Sequence, residues 1–161
     1  MTPIFITGIG TGIGKTLVAA IVARALEADY WKPVQAGYES GTDSEWVARH
    51  LAGSNGAVLP EVYKLRLPAS PHIAAREEGV AISVQKICDS IQINNRNLIV
   101  EGAGGLLVPL NDNEFVADLI LAMKARVILV SRNYLGSINH SLLTARVCRQ
   151  MKIPVIGWIF N

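Results

Sequence analysis

The run Gly8-Ile9-Gly10-Thr11-Gly12-Ile13-Gly14-Lys15-Thr16 constrains this chain more than any other. Glycine at every second position disfavours a regular strand or helix there. The run stands between a short apolar stretch at residues 3–7 and a helix-forming stretch at residues 15–28. Glycines let the backbone curl so that several N–H groups point inward at one anion, and a helix starting at Lys15 adds its positive N-terminal end. Strand, glycine loop, Lys15-Thr16 and helix together form the context of a phosphate-binding P-loop. Lys15 is expected to reach the β- and γ-phosphate oxygens of a nucleoside triphosphate, and the Thr16 hydroxyl to coordinate Mg²⁺. The strict spacing G-x-x-x-x-G-K-[ST] would need glycine at position 9; the glycine stands at Gly8 instead.

Short, saturated apolar runs alternate with helical patterns along the rest of the chain. Residues 3–7, 97–101, 126–131 and 154–160 are such runs, and 30–34 reads as a shorter one. Strands buried on both faces by covering helices look like this. Helices are expected at 15–28, 44–51, 83–93, 114–124 and 138–151, with Ser44 and Ser83 as N-caps of theirs. This alternation predicts an α/β fold: a doubly wound, mainly parallel sheet flanked by helices, the P-loop NTPase fold. Residues 53–79 hold three prolines and three glycines; they read as an excursion over one sheet edge, with a short helix after Ser70-Pro71.

The 161 residues fit one globular domain, 1–161, and half of them are hydrophobic while 17% are charged, which excludes disorder. With 15 basic and 13 acidic residues scattered along the chain, no nucleic-acid surface is expected. No apolar run reaches the ~18 to 20 residues of a membrane span. Cys88 and Cys148 lack a metal- or disulfide-type spacing and read as buried thiols of a soluble, cytoplasmic protein.

Ligands of such folds bind at the carboxyl ends of the strands. Glu101 ends the run Leu98-Ile99-Val100 and precedes Gly102-Ala103-Gly104-Gly105, a placement suited to a metal-binding carboxylate beside phosphate. Lys32 precedes Pro33 where a strand leaves the sheet; taken alone it is as readily a solvated side chain as a ligand contact. Asp43, before a helix, reads from spacing as a loop or capping group. Asp29, Asp112 and Asp118 read as surface or capping groups. His50, His72 and His140 are not spaced as metal ligands and read as structural.

Taken in order, the P-loop with Thr11, Lys32-Pro33-Val34-Gln35, Asp43, Ser70-Pro71-His72, Glu101-Gly102-Ala103-Gly104-Gly105, Leu135-Gly136-Ser137-Ile138-Asn139-His140, Gly157-Trp158 and Asn161 resemble dethiobiotin synthetase from the first residue to the last. The resemblance implies a cyclo-ligase of biotin biosynthesis that joins 7,8-diaminopelargonic acid and CO₂ at the expense of ATP, giving dethiobiotin, ADP and phosphate. It implies catalytic roles for Lys15, Lys32 and Thr11, and a metal site of Thr16, Asp43 and Glu101. ATP would be held by Gly10, Thr11, Gly12, Ile13, Gly14, Lys15, Thr16, Leu17, Glu101, Gly104 and Asn161. The substrate would meet Lys32, Ala36 and, from the partner of a homodimer, residues matching Leu135, Gly136, Ser137, Ile138 and Asn139. Two positions depart from the family pattern: Ala36 stands where relatives carry Ser or Thr, and Gly12 where some carry Glu. The family continues beyond the position of Asn161 through a further strand and helices, so the expectation is a domain without that C-terminal segment. Two other classes share the P-loop branch. Amide-forming ligases need a glutamine-hydrolysing domain, and partition-type ATPases carry a lysine where this chain has Gly10.

Overall fold

A computed structural model of the chain describes residues 2–91 and 96–161. In chain order its first half contains β1 (Ile4–Gly8), α1 (Lys15–Ala25), β2 (Asp29–Trp31), β3 (Val34–Ala36), α2 (Asp43–His50), β4 (Val58–Leu59), β5 (Tyr63–Leu65) and α3 (Pro71–Glu77). The second half contains α4 (Val84–Asp89), β6 (Leu98–Glu101), α5 (Val116–Ala122), β7 (Arg126–Ser131), α6 (Ser137–Gln150) and β8 (Val155–Phe160). Six strands form one sheet in the order β4-β2-β6-β1-β7-β8, and every pairing in it is parallel.

Alternation along the strands sends neighbouring side chains to opposite faces. Phe5, Val100 and Leu129 enter one buried cluster with Val116, Leu119 and Ile87. Ile6, Ile99 and Val130 enter the other with Val18, Ala19 and Val47. Helices therefore cover both faces, as the saturated apolar runs required. Alanines at 19, 20 and 23 let α1 lie close to the sheet behind the glycine loop. Among the described residues no helix is long and apolar enough to cross a membrane.

Several expectations change. The run at 30–34 is two strands, broken at Lys32-Pro33. Pro33 has no N–H for the ladder, and its carbonyl accepts from Val62 and Tyr63 as β3 turns away to pair with β5 in a separate two-stranded parallel sheet. The excursion at 53–79 supplies β4 to the sheet edge, β5 to this small sheet, and α3 starting at Pro71 as expected. The cap of α2 is Thr42, not Ser44: the Thr42 hydroxyl accepts from the Glu45 N–H, and the Glu45 carboxylate accepts from the Thr42 N–H. Ser83 does cap α4. The helix expected over 15–28 ends at Ala25, since Glu27 takes a left-handed φ of 47°. That expected over 114–124 starts at Val116, because Phe115 is extended and caps it, its N–H donating to the Asp118 carboxylate at 2.8 Å. Of the helix expected over 83–93, residues 92 and 93 lie outside the described residues. Asp29 is buried, accepting from the Ala57 N–H and lying 3.8 Å from Arg96. Cys148 is buried, but Cys88 is only half-buried.

Candidate functional site

The site gathers at the carboxyl ends of β1, β2 and β6, three neighbours in the sheet. β1 runs straight into the glycine loop. An added Cβ at Gly8 would lie 2.2 Å from the Val130 carbonyl oxygen, so only glycine lets β1 turn into the loop against β7. Gly14, at φ 94°, precedes Lys15 as the N-cap of α1, and no side chain caps that helix end. The Lys15 ammonium curls over the loop and donates to the Gly10 carbonyl at 2.6 Å. Burial pulls its pKa down to about 8, against the raising effect of Glu101.

β2 and β6 run in parallel with Trp31 beside Val100, and one residue further Lys32 and Glu101 meet. The Lys32 ammonium donates to Glu101 Oε1 at 3.1 Å and also to Asp43. Burial works against the charged lysine, but Glu101 and Asp43 outweigh it and leave its pKa raised. The Thr16 hydroxyl donates to the same Glu101 oxygen at 2.8 Å. The second oxygen, Oε2, accepts from the buried Tyr30 phenol at 2.6 Å. Burial, then the Glu101 charge, raises the Tyr30 pKa and keeps the phenol neutral. Asp43 is set by its backbone: the helix starts at the Thr42 cap, and the Asp43 N–H donates to Gln35 Oε1 at 3.3 Å. The Gln35 amide nitrogen in turn donates to the Gly37 carbonyl at 2.7 Å.

These groups border a cavity of about 580 Å³, large enough for a small-molecule ligand. Thr11, Gly12, Gly14, Lys15, Thr16, Lys32, Ala36, Asp43, Glu101 and Gly104 all line it. Gln35 and the stretch 68–71 ahead of α3 line it as well. Gly10 faces the site through its carbonyl, whereas the Ile13 side chain is core. Leu17 lies outside the cavity, half-exposed on α1. The Asn161 amide donates to the Ile13 carbonyl at 3.1 Å, behind the P-loop. Leu135, Gly136, Ser137, Ile138 and Asn139 do not line this cavity; Leu135 is fully exposed and Ile138 77% exposed, while Ser137 is buried. His50, His72 and His140 stay outside it, hydrogen-bonded to Trp46, Ser70 and Tyr134 respectively.

Thr16, Asp43 and Glu101 offer oxygen donors alone. That chemistry suits Mg²⁺, which takes few protein ligands and leaves its other positions to water and phosphate. Among the described residues no group of three or more His, Cys, Asp or Glu gathers into a softer or fuller metal cage.

A family model described as an AAA domain matches residues 2–161. The ATP-dependent dethiobiotin synthetase of Cytophaga hutchinsonii is 53% identical over 164 residues, covering 100% of this chain and 77% of its own. This chain belongs to the dethiobiotin synthetase family. The dethiobiotin synthetase of Brucella ovis is 48% identical over 157 residues, covering 98% of this chain and 73% of its own. Among solved structures, the fold of this synthetase-family chain is similar to the septum site-determining protein MinD of Pyrococcus horikoshii, complexed with Mg-ADP. The TM-score is 0.59 at 16% identity, covering 100% of this chain and 70% of that one. A ParA family ATPase from Chlorobium tepidum gives 0.58 at 15% identity, covering 100% and 74%. At such identities the likeness is one of fold.

Tyr30 and Gln35 were not anticipated as site residues from the sequence. Tyr30 sits in an apolar strand, where a tyrosine reads as core. Gln35 could have been found from the break at Pro33, which turns the next residues toward the cavity.

Proposed function

We propose that this chain is an ATP-dependent ligase that makes dethiobiotin, ADP and phosphate from 7,8-diaminopelargonic acid, CO₂ and ATP. The observation that carries this is the meeting of Lys15 and Lys32 with Glu101, Asp43 and Thr16 at one cavity, in a chain 53% identical to a dethiobiotin synthetase. One substrate amine adds to CO₂, forming a C–N bond and losing a proton, to give a carbamate. A carbamate oxygen attacks the γ-phosphorus and ADP leaves. The second amine then attacks the carbonyl carbon of this mixed anhydride, loses a proton, and expels phosphate as the ureido ring closes.

Two anions must approach one another in the phosphoryl transfer, so the chain's contribution is positive charge held in place before they meet. The uncapped N-terminus of α1 and Lys15 receive the β- and γ-phosphates. Lys32, fixed between two carboxylates, faces the carbamate, and Thr11 lies at the junction. Thr16, Asp43 and Glu101 hold Mg²⁺, which when bound offsets charge on the triphosphate. Asn161, beside Gly14 and Ile13, contacts the base of the nucleotide.

The chain acts as a homodimer in the cytoplasm on this reading. Exposed Leu135, Ile138 and Leu142, spaced three and four apart along α6 and its entry, support an apolar seam there. Residues 135–139 of the partner would receive the substrate's distal carboxylate at the start of α6.

With diaminopelargonic acid, bicarbonate and Mg-ATP, phosphate and dethiobiotin should appear in equal amounts. Nucleotide binding without any dethiobiotin would overturn the assignment. Native mass measurement tests the dimer.

A further inference from the structure

The Glu101 carboxylate is 1% exposed. A buried charge of this kind persists only when each oxygen finds a donor. Its two oxygens have different surroundings. Oε1 faces the cavity side and accepts from Thr16 and Lys32. Oε2 faces inward and accepts from the Tyr30 hydroxyl, whose residue is wholly buried in the cluster of Ile6, Val18, Ile99 and Val47. Tyr30 pairs with Ile99 across β2 and β6, so its ring lies on the same sheet face as Glu101, two residues further along β6.

We infer that Tyr30 is a positioning residue for the metal site: its hydroxyl holds Glu101 Oε2 in the core and thereby presents Oε1 to Thr16, Lys32 and the metal. Tyr30 itself does not line the cavity. Without the hydroxyl, Oε2 is left as a charged oxygen among aliphatic side chains. The carboxylate then relieves this by turning toward Lys32 and water, and its orientation toward the metal is lost. Groups that orient a metal-holding carboxylate in this way commonly change metal affinity by about 10–100-fold when removed.

This inference rests on the reading of Glu101 as a metal-holding group, and the experiment separates the two. ADP affinity is measured by calorimetry with and without Mg²⁺ in the unaltered protein, Tyr30→Phe, Glu101→Gln and the paired variant. Mn²⁺ resonance spectra report the metal environment directly. Tyr30→Phe should leave metal-free ADP affinity within about twofold and lower its enhancement by Mg²⁺ by about tenfold. Added to Glu101→Gln, it should cause no further loss. The role of Tyr30 is overturned if Tyr30→Phe leaves the enhancement intact, weakens both affinities equally, or adds its full effect to Glu101→Gln. An unchanged enhancement in Glu101→Gln overturns the metal reading itself and the inference with it. Should Tyr30→Phe alone not fold, the paired variant, which removes the charge together with its donor, is compared with Glu101→Gln. Equal metal dependence supports the inference, and a further loss overturns it.

Discussion

Lys32 and Glu101 are 69 positions apart in the chain, yet their side chains meet at 3.1 Å because β2 and β6 end in register. The same ammonium also reaches Asp43 across the cavity rim. A cation so held loses little further freedom when an anion arrives, which is the condition for electrostatic catalysis.

Replacing Lys32 separates its roles. In Lys32→Ala, dethiobiotin formation should fall by at least about 10²- to 10³-fold, while ADP affinity changes by less than about threefold, since Lys15 and the loop are untouched. Glu101 and Asp43 would repel one another without it, so the metal-free variant should also melt lower, and Mg²⁺ should restore part of the difference. Steady-state kinetics, calorimetry and thermal melts check the three outcomes.

Glycines of the loop are not equivalent. At Gly8 an added methyl would meet the Val130 backbone oxygen at 2.2 Å, while at Gly10 it would meet nothing within 4 Å. Gly8→Ala should therefore cost at least about 2 kcal/mol in denaturant unfolding, as backbone against backbone cannot yield. Gly10→Ala should stay within about 0.5 kcal/mol of the unaltered protein. Equal stabilities would contradict the packing of β1 against β7.

The capping box at the start of α2 carries Asp43. Thr42→Ala removes the acceptor for the Glu45 N–H and should cost about 1 kcal/mol. Because the first turn then frays where Asp43 begins, the Mg²⁺ enhancement of nucleotide binding should fall as well, with metal-free binding unchanged. Thr42→Ser, which keeps the oxygen, should recover both. A loss of stability alone would show that Asp43 is held by Gln35 and not by the cap.

Much of this candidate site is legible in the sequence alone. The glycine run, the Lys15-Thr16 pair and the acid ending an apolar strand each have local signatures, and β7 fell on its expected residues because a wholly buried parallel strand is an unbroken Val- and Ile-rich run. Lys32 stayed ambiguous because its partners depend on strand register, which no local pattern records. Thr42 was passed over for Ser44, two residues on, since both are good caps and only the turn geometry distinguishes them. Asp29 reads as a surface or capping group because a short buried strand beginning with a carboxylate needs a distant N–H, that of Ala57, to make sense. Tyr30 was hidden for the opposite reason: its ring belongs in a core, and only its hydroxyl does anything else.

The two walls of the cavity have separate foundations. Glu101 ends a strand of the six-stranded sheet and Lys15 and Thr16 open the helix that packs on it, whereas Ala36 and the residues leading into α3 hang on the small sheet formed when β3 leaves at Pro33 to join β5. Inheritance can therefore act on the two unequally. A change in the minor sheet would reshape the wall at Ala36 and residues 68–71, while the glycine loop and Glu101 rest on other strands. A chain built this way can acquire a new preference among substrates without first giving up its grip on phosphate.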